Sequence, residues 1–96
     1  MTYSLSGDAK ADLKRIFKYG IQKFGEVQAD RHFWEIIEQL KFIGESPKKF
    51  PKIVIRGRVY RLCATLPETI YYHIDNEGRV QIDRILGRQN RERQFR

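Results

Sequence analysis

Between Ala9 and Ile43 the chain carries two apolar stripes at helical spacing, with a single glycine between them. In the first, Ala9, Leu13, Ile16, Phe17, Gly20, Ile21 and Phe24 recur at steps of three and four. In the second, which begins near Glu26, Ala29, Phe33, Ile36, Ile37, Leu40 and Ile43 do the same. Ser6 is the expected N-cap of the first helix, and Asp8 falls in its first turn, where a carboxylate meets unpaired backbone N–H groups. Gly25 is the expected stop of the first helix and Gly44 that of the second. Helices joined at a Phe24-Gly25 corner have no room to do anything but run antiparallel. The hairpin they make has one apolar side, and that side needs a sheet.

The second half of the chain supplies one. Thr69 to Gln89 reads as a β-hairpin: Ile70, Tyr72 and Ile74 alternate with Tyr71 and His73, the chain turns at Asp75-Asn76-Glu77-Gly78, and Val80 and Ile82 alternate with Gln81 and Asp83. Gly78 suits a turn position that requires positive φ. Before it, Arg58 to Leu66 alternates Tyr60, Leu62, Ala64 and Leu66 with Val59, Arg61, Cys63 and Thr65, and Pro67-Glu68 turns that strand into the hairpin. Glu45 to Ile53, with Pro47 and Pro51, reads as a loop from helices to sheet, Phe50 tucked beneath it. Tyr3-Ser4-Leu5 is a short strand candidate. The expected fold is α+β: a short N-terminal strand and a two-helix antiparallel hairpin packed on a C-terminal antiparallel β-sheet, one domain over residues 1–96. Tyr72 is expected in the core. The far face of the sheet, assigned Arg61, Cys63, Tyr71, His73, Gln81 and Asp83, is expected to be polar and open, with Arg61 and Asp83 as a pair.

Charge narrows the function. Residues 1–45 hold seven Lys and Arg against seven Asp and Glu, whereas residues 46–96 hold twelve against five, so the whole net charge of +7 lies in the second half. Such a field draws nucleic acid or an acidic peptide. Lys48, Lys49, Lys52, Arg56, Arg58 and Arg61 follow one another without an acid between Glu45 and Glu68, and Arg84, Arg88, Arg91, Arg93 and Arg96 come after. The arginine fork suits carboxylate and phosphate, and this cluster outweighs the alternative of a merely solvated basic surface.

Other chemistry is poorly supplied. Cys63 is the only cysteine, so no internal disulfide forms, and a reducing cytosol is the expected compartment. His32 and His73 stand apart from any metal-ligand spacing, and neither a zinc motif nor a glycine-rich phosphate loop is present in the sequence, so no metal or cofactor is expected. Cys63 reads as a small strand residue rather than a nucleophile. No apolar run approaches the roughly 20 residues that span a bilayer, and the first ten residues lack a signal-peptide core, so no membrane association is expected.

Several short segments, in this order, resemble the ParE toxins of the ParE/RelE superfamily of bacterial toxin-antitoxin modules. They are Tyr3-Ser4-Leu5, the helix with Ala9, Asp12-Leu13, Ile16 and Tyr19 running into Phe24-Gly25 and Gln28-Ala29, Ser46-Pro47, Val59-Tyr60-Arg61, Ile70-Tyr71-Tyr72, and Arg84-Ile85-Leu86 with Gly87-Arg88-Gln89. The resemblance implies the RelE/ParE-like fold and a toxin that inhibits DNA gyrase, and so replication, by binding rather than catalysis. It also implies a ParD-like antitoxin that wraps the toxin and alone contacts operator DNA. On this reading Arg84, Arg88, Arg91 and Arg93 meet the target. The antitoxin covers the groove beside the helical hairpin and places acids on Lys52, Arg56, Arg58 and Arg61.

The RelE branch of the superfamily instead cuts mRNA on the ribosome with cationic side chains on the open sheet face. By resemblance, Arg61 stands where that branch has a lysine, but Cys63 replaces the next lysine, Thr69 a central arginine and Gln89 the arginine after the last strand, while Phe95 stands near its tyrosine. A ribosome-dependent mRNA endonuclease built around Arg61 and His73 is the alternative reading. A third is a toxin that has lost its activity and persists as an antitoxin-binding module.

Overall fold

Ser6 starts the first helix and at the same moment fastens it to the sheet. Its Oγ accepts the Ala9 N–H at 2.9 Å and donates to the Asp83 carbonyl at 2.8 Å, while its own N–H donates to the Ile82 carbonyl at 3.0 Å. A cap of this kind contributes about 1 kcal/mol to the helix end. The structure, a computed structural model, describes residues 3–65 and 67–87. The expectations placed on Leu66, Arg88, Gln89, Arg91, Arg93 and Phe95 lie outside the described residues.

The elements run β1 (Tyr3–Leu5), α1 (Gly7–Phe24), α2 (Glu26–Glu45), β2 (Lys52–Ile55), β3 (Arg58–Ala64), β4 (Glu68–Ile74) and β5 (Val80–Gly87). Gly25 separates the helices at φ 90° and ψ 166°, a conformation essentially reserved for glycine. Its N–H closes α1 on the Ile21 carbonyl and its carbonyl opens α2 by accepting the Ala29 N–H. The helices pack closely because Gly20 faces Ala29, where a Cβ would stand only 3.1 Å from the Ala29 Cβ. Phe17 and Phe33 meet edge to face at 5.8 Å. The second helix runs one residue past Gly44 and is capped at Ser46.

The five strands form one sheet in the order β1-β5-β4-β3-β2. The three pairings from β2 to β5 are antiparallel, as the meander requires, and β1 joins β5 in parallel, so the sheet is mixed. At the β4–β5 turn Gly78 has φ 81°, and Asp75 organises the loop by accepting the Glu77 and Arg79 N–H groups at 2.9 Å each. The Arg79 N–H bond first, then one from the Gln81 side chain at 3.0 Å, hold the Asp75 carboxyl below its ordinary range.

Three features depart from the sequence reading. Lys52–Ile55 is strand β2, not the end of a loop; it closes onto β3 through a two-residue Arg56-Gly57 turn with φ 51° and 77°. Positive φ at both central residues is the I′ geometry that matches strand twist, and arginine at its first position hides the signal that Asn-Gly would announce. Next, β3 presents the opposite face. Cys63 sits across from Ile70 and Arg61 across from Tyr72, which puts Arg61 and Cys63 on the helix-covered side, while Tyr60, Leu62 and Ala64 share the other with Tyr71 and His73. Finally, that other face is not simply polar and open, because Tyr71 is 4% exposed and Leu86 fully buried.

The core is the layer between hairpin and sheet: Ala9, Leu13 and Ile16 from α1, Ile36, Leu40 and Ile43 from α2, and Cys63, Ile70, Tyr72, Val80, Ile82 and Ile85 from the strands. Tyr72 is fully buried as expected, and its hydroxyl donates to the Pro47 carbonyl at 2.6 Å. That Val80, Ile82 and Ile85 all reach the core breaks strict alternation. A β-bulge explains it, since Tyr72 pairs with Ile82 but Tyr71 with Arg84, leaving Asp83 as the extra residue. The first apolar stripe runs past what the sheet covers, since Phe24 at its end is more than half exposed, as are Tyr19, Val27 and Trp34 on the same two helices.

Candidate functional site

The β2–β3 hairpin carries the basic segment. Lys52, Arg56 and Arg58 are exposed around two large apolar side chains, Val54 and Val59, which are Cα partners and are 67% and 55% exposed. Arg61 behaves differently. Its guanidinium turns back onto the preceding loop and donates to the Phe50 carbonyl at 2.7 Å and the Lys48 carbonyl at 3.3 Å. Phe50 packs against Phe42 at 5.8 Å, and the Lys49 ammonium lies 4.9 Å from the Phe42 ring centre. The pairing expected between Arg61 and Asp83 does not form, because the two side chains belong to different faces. Asp83 Oδ2 is hydrogen-bonded to Nδ1 of the His73 ring, 2.8 Å away. Burial pushes the Asp83 carboxyl above its ordinary range, against the opposing pull of His73 and Arg58.

Arg84, placed by sequence at the target surface, is clamped on α1. Its Nε donates to Asp12 Oδ2 at 2.8 Å and a terminal nitrogen to Oδ1 at 2.9 Å. Asp12, 3% exposed, also accepts the Ile85 N–H at 2.9 Å and an Arg15 nitrogen at 3.2 Å. Burial alone would raise the Asp12 carboxyl, but the hydrogen bonds from Arg84, Ile85 and Arg15 outweigh it and hold the group below the ordinary carboxylate range. Sequence reasoning missed this cluster. Its signal was present, since Asp12 sits between Ala9 and Leu13 on the apolar stripe, where a charge requires a buried partner. Arg88, Arg91 and Arg93 lie outside the described residues.

A groove of about 770 Å³ runs beside the helical hairpin, with Ile16, Gly20 and Ala29 as floor and Tyr19, Phe24 and Arg31 among its walls. At its end, His32 Nε2 lies 2.7 Å from Glu68 Oε1, joining α2 to the start of β4. The sequence reading places the antitoxin on this groove and on the basic segment that the β2–β3 hairpin carries.

Among the described residues the candidate catalytic groups do not converge. Arg61 and His73 stand on opposite faces of the sheet, so the pair that the endonuclease reading relied on is separated. Cys63 is 2% exposed and burial pushes its thiol up, away from the thiolate that a nucleophile needs. Among the described residues no three His, Cys, Asp or Glu side chains gather as a metal site, and no helix is long and apolar enough to cross a membrane.

Residues 3–92 match the family model described as the ParE toxin of the type II toxin-antitoxin system parDE. This chain belongs to the ParE toxin family. Toxin ParE1 of Caulobacter vibrioides is 33% identical over 84 residues, covering 88% of this chain and 85% of that protein. A solved structure titled as the chromosomal ParDE toxin-antitoxin system from P. aeruginosa superposes with a TM-score of 0.73 at 22% identity, over 90% of this chain and 96% of the other. The α+β architecture expected from sequence is thus the ParE fold, and the chain is a ParE-type toxin of a type II toxin-antitoxin system.

Proposed function

We propose that this ParE-type toxin arrests growth by binding DNA gyrase in the cytoplasm, without catalysis of its own, and that a ParD-like antitoxin neutralises it. The observation that supports binding over cleavage is where the strand arginines point. Arg61 holds the Phe50 and Lys48 carbonyls, Arg84 holds Asp12, and His73 faces away from Arg61. Phosphodiester cleavage calls for cations and proton-transfer groups aimed at one phosphate. These side chains serve the fold instead.

The target contact is assigned to Arg88, Arg91 and Arg93, with Arg84 anchoring the strand that leads to them. The antitoxin is assigned to the groove beside the hairpin and to Lys52, Arg56 and Arg58, with Arg61 bracing the loop that precedes them and operator DNA reached only through the antitoxin. The first experiment induces the toxin alone and pulse-labels DNA and protein synthesis over the first minutes. DNA synthesis failing first, followed by inhibition of purified gyrase, is the expected result. Translation stopping first would overturn the gyrase assignment in favour of a ribosome-dependent endonuclease. Truncation after Gly87 is expected to abolish growth inhibition; full toxicity of the truncated chain would remove the tail arginines from the argument.

A further inference from the structure

In an antiparallel ladder, hydrogen-bonded and non-hydrogen-bonded pairs alternate. The two-residue Arg56-Gly57 turn makes Ile55 and Arg58 a bonded pair, so Ile53 and Tyr60 are the next, and the Leu62 N–H donating to the Pro51 carbonyl at 3.0 Å keeps the same phase. The N–H and C=O groups of Lys52 and Val54 therefore point away from β3. They lie along an edge that no other strand covers among the described residues.

That edge is armed. Val54 and Val59 offer exposed apolar surface, while Lys52, Arg56 and Arg58 are exposed cations, preceded by Lys48 and Lys49 with no acid between Glu45 and Glu68. Arg56 is held at φ 51°, which costs a non-glycine residue stability and keeps its cation at the tip of the hairpin. Cations on an edge strand repel a second copy of the same edge, and the same charges select an acidic strand.

We propose that β2 is a docking strand: an extended acidic segment of the antitoxin pairs with the backbone of Lys52 and Val54 as a sixth strand. Its apolar side chains cover Val54 and Val59, and its carboxylates meet Lys52, Arg56 and Arg58. This mode rests on the antitoxin reading above but is narrower than it, since an antitoxin seated only in the helical groove would leave β2 bare.

The test is hydrogen exchange on the purified toxin–antitoxin complex beside the free toxin, together with binding of the antitoxin to Val54→Pro. The Val54 N–H faces outward, so proline there leaves the β2–β3 ladder whole and removes one docking donor. The amides of Lys52 and Val54 are expected to slow by at least roughly tenfold in the complex, and Val54→Pro to weaken binding by about 3- to 10-fold. Arg79→Ala, at the exposed β4–β5 turn, is expected to bind as wild type does. A complex that forms while both amides exchange at their free rate overturns the docking strand and leaves the antitoxin reading standing. Failure to form any complex overturns both. Should Val54→Pro not fold, the exchange measurement on the wild-type pair decides alone.

Discussion

Asp12 on α1 and Arg84 on β5, 72 positions apart, form a two-point ion pair at 2.8 and 2.9 Å, with the Asp12 side chain only 4% exposed. The same carboxylate accepts the Ile85 N–H just after the β-bulge, so it satisfies a backbone group of β5 beyond Ile82, the last residue that pairs with β1. One side chain thus joins the first helix, the last strand and the irregularity in that strand.

Removing one partner of a buried, hydrogen-bonded pair leaves the other charge uncompensated. Asp12→Asn is expected to cost about 3–5 kcal/mol, a large part of the stability of a domain this size, read as the midpoint of urea unfolding. The pH dependence has a definite sign. The folded carboxyl lies below its unfolded value, so its contribution is complete above about pH 4 and is lost as pH falls through the depressed folded value. The stability gap between wild type and Asp12→Asn should therefore narrow in strong acid, and a gap independent of pH would contradict the assignment.

Asp83 has the opposite sign. Burial raises its folded value despite the His73 bond, so ionising it costs more in the folded protein than in the unfolded chain. Stability from this group is present below the unfolded value of about 4 and is lost as pH rises through the folded value. Asp83→Asn should raise the thermal midpoint at pH 7 and have little effect at pH 3. A lower midpoint at pH 7 would show that the His73 pairing outweighs the burial.

Gly25 holds the corner of the helical hairpin at a φ of 90° that side chains rarely adopt, although nothing stands within 4 Å of where a Cβ would be. Gly25→Ala is expected to cost about 1–3 kcal/mol from backbone strain alone. Calorimetry on the purified variant measures it, and an unchanged midpoint would mean that the corner can relax without loss.

Arg56 occupies a turn position that asparagine fills at lower cost. Arg56→Asn is expected to gain about 1 kcal/mol in stability while weakening antitoxin binding, because it removes strain and a cation together. Thermal unfolding and calorimetric titration separate the two effects. A variant that is both more stable and equally well bound would take Arg56 out of the antitoxin surface.

What local chemistry encodes was readable in the order of residues. The Ser6 cap, the two apolar stripes, the Gly25 corner and the Gly78 turn each depend on neighbours within one or two turns of chain, and each stands where the spacing placed it. The meander of β3, β4 and β5 was legible for the same reason, and the order of short motifs carried the family. Strand alternation, however, has a period without a sign. Which side of β3 meets the helices depends on whether Cys63 lies across from Ile70, and that register is set by burial shared between strands. The β2 hairpin was missed because Arg56 fills a position usually marked by asparagine, and the bulge because it leaves no local trace. Tertiary structure alone decided that Arg61 would hold a loop and Arg84 would hold Asp12. An arginine's partner is the carboxylate or carbonyl that folding brings within 3 Å, and no spacing along the chain records that distance.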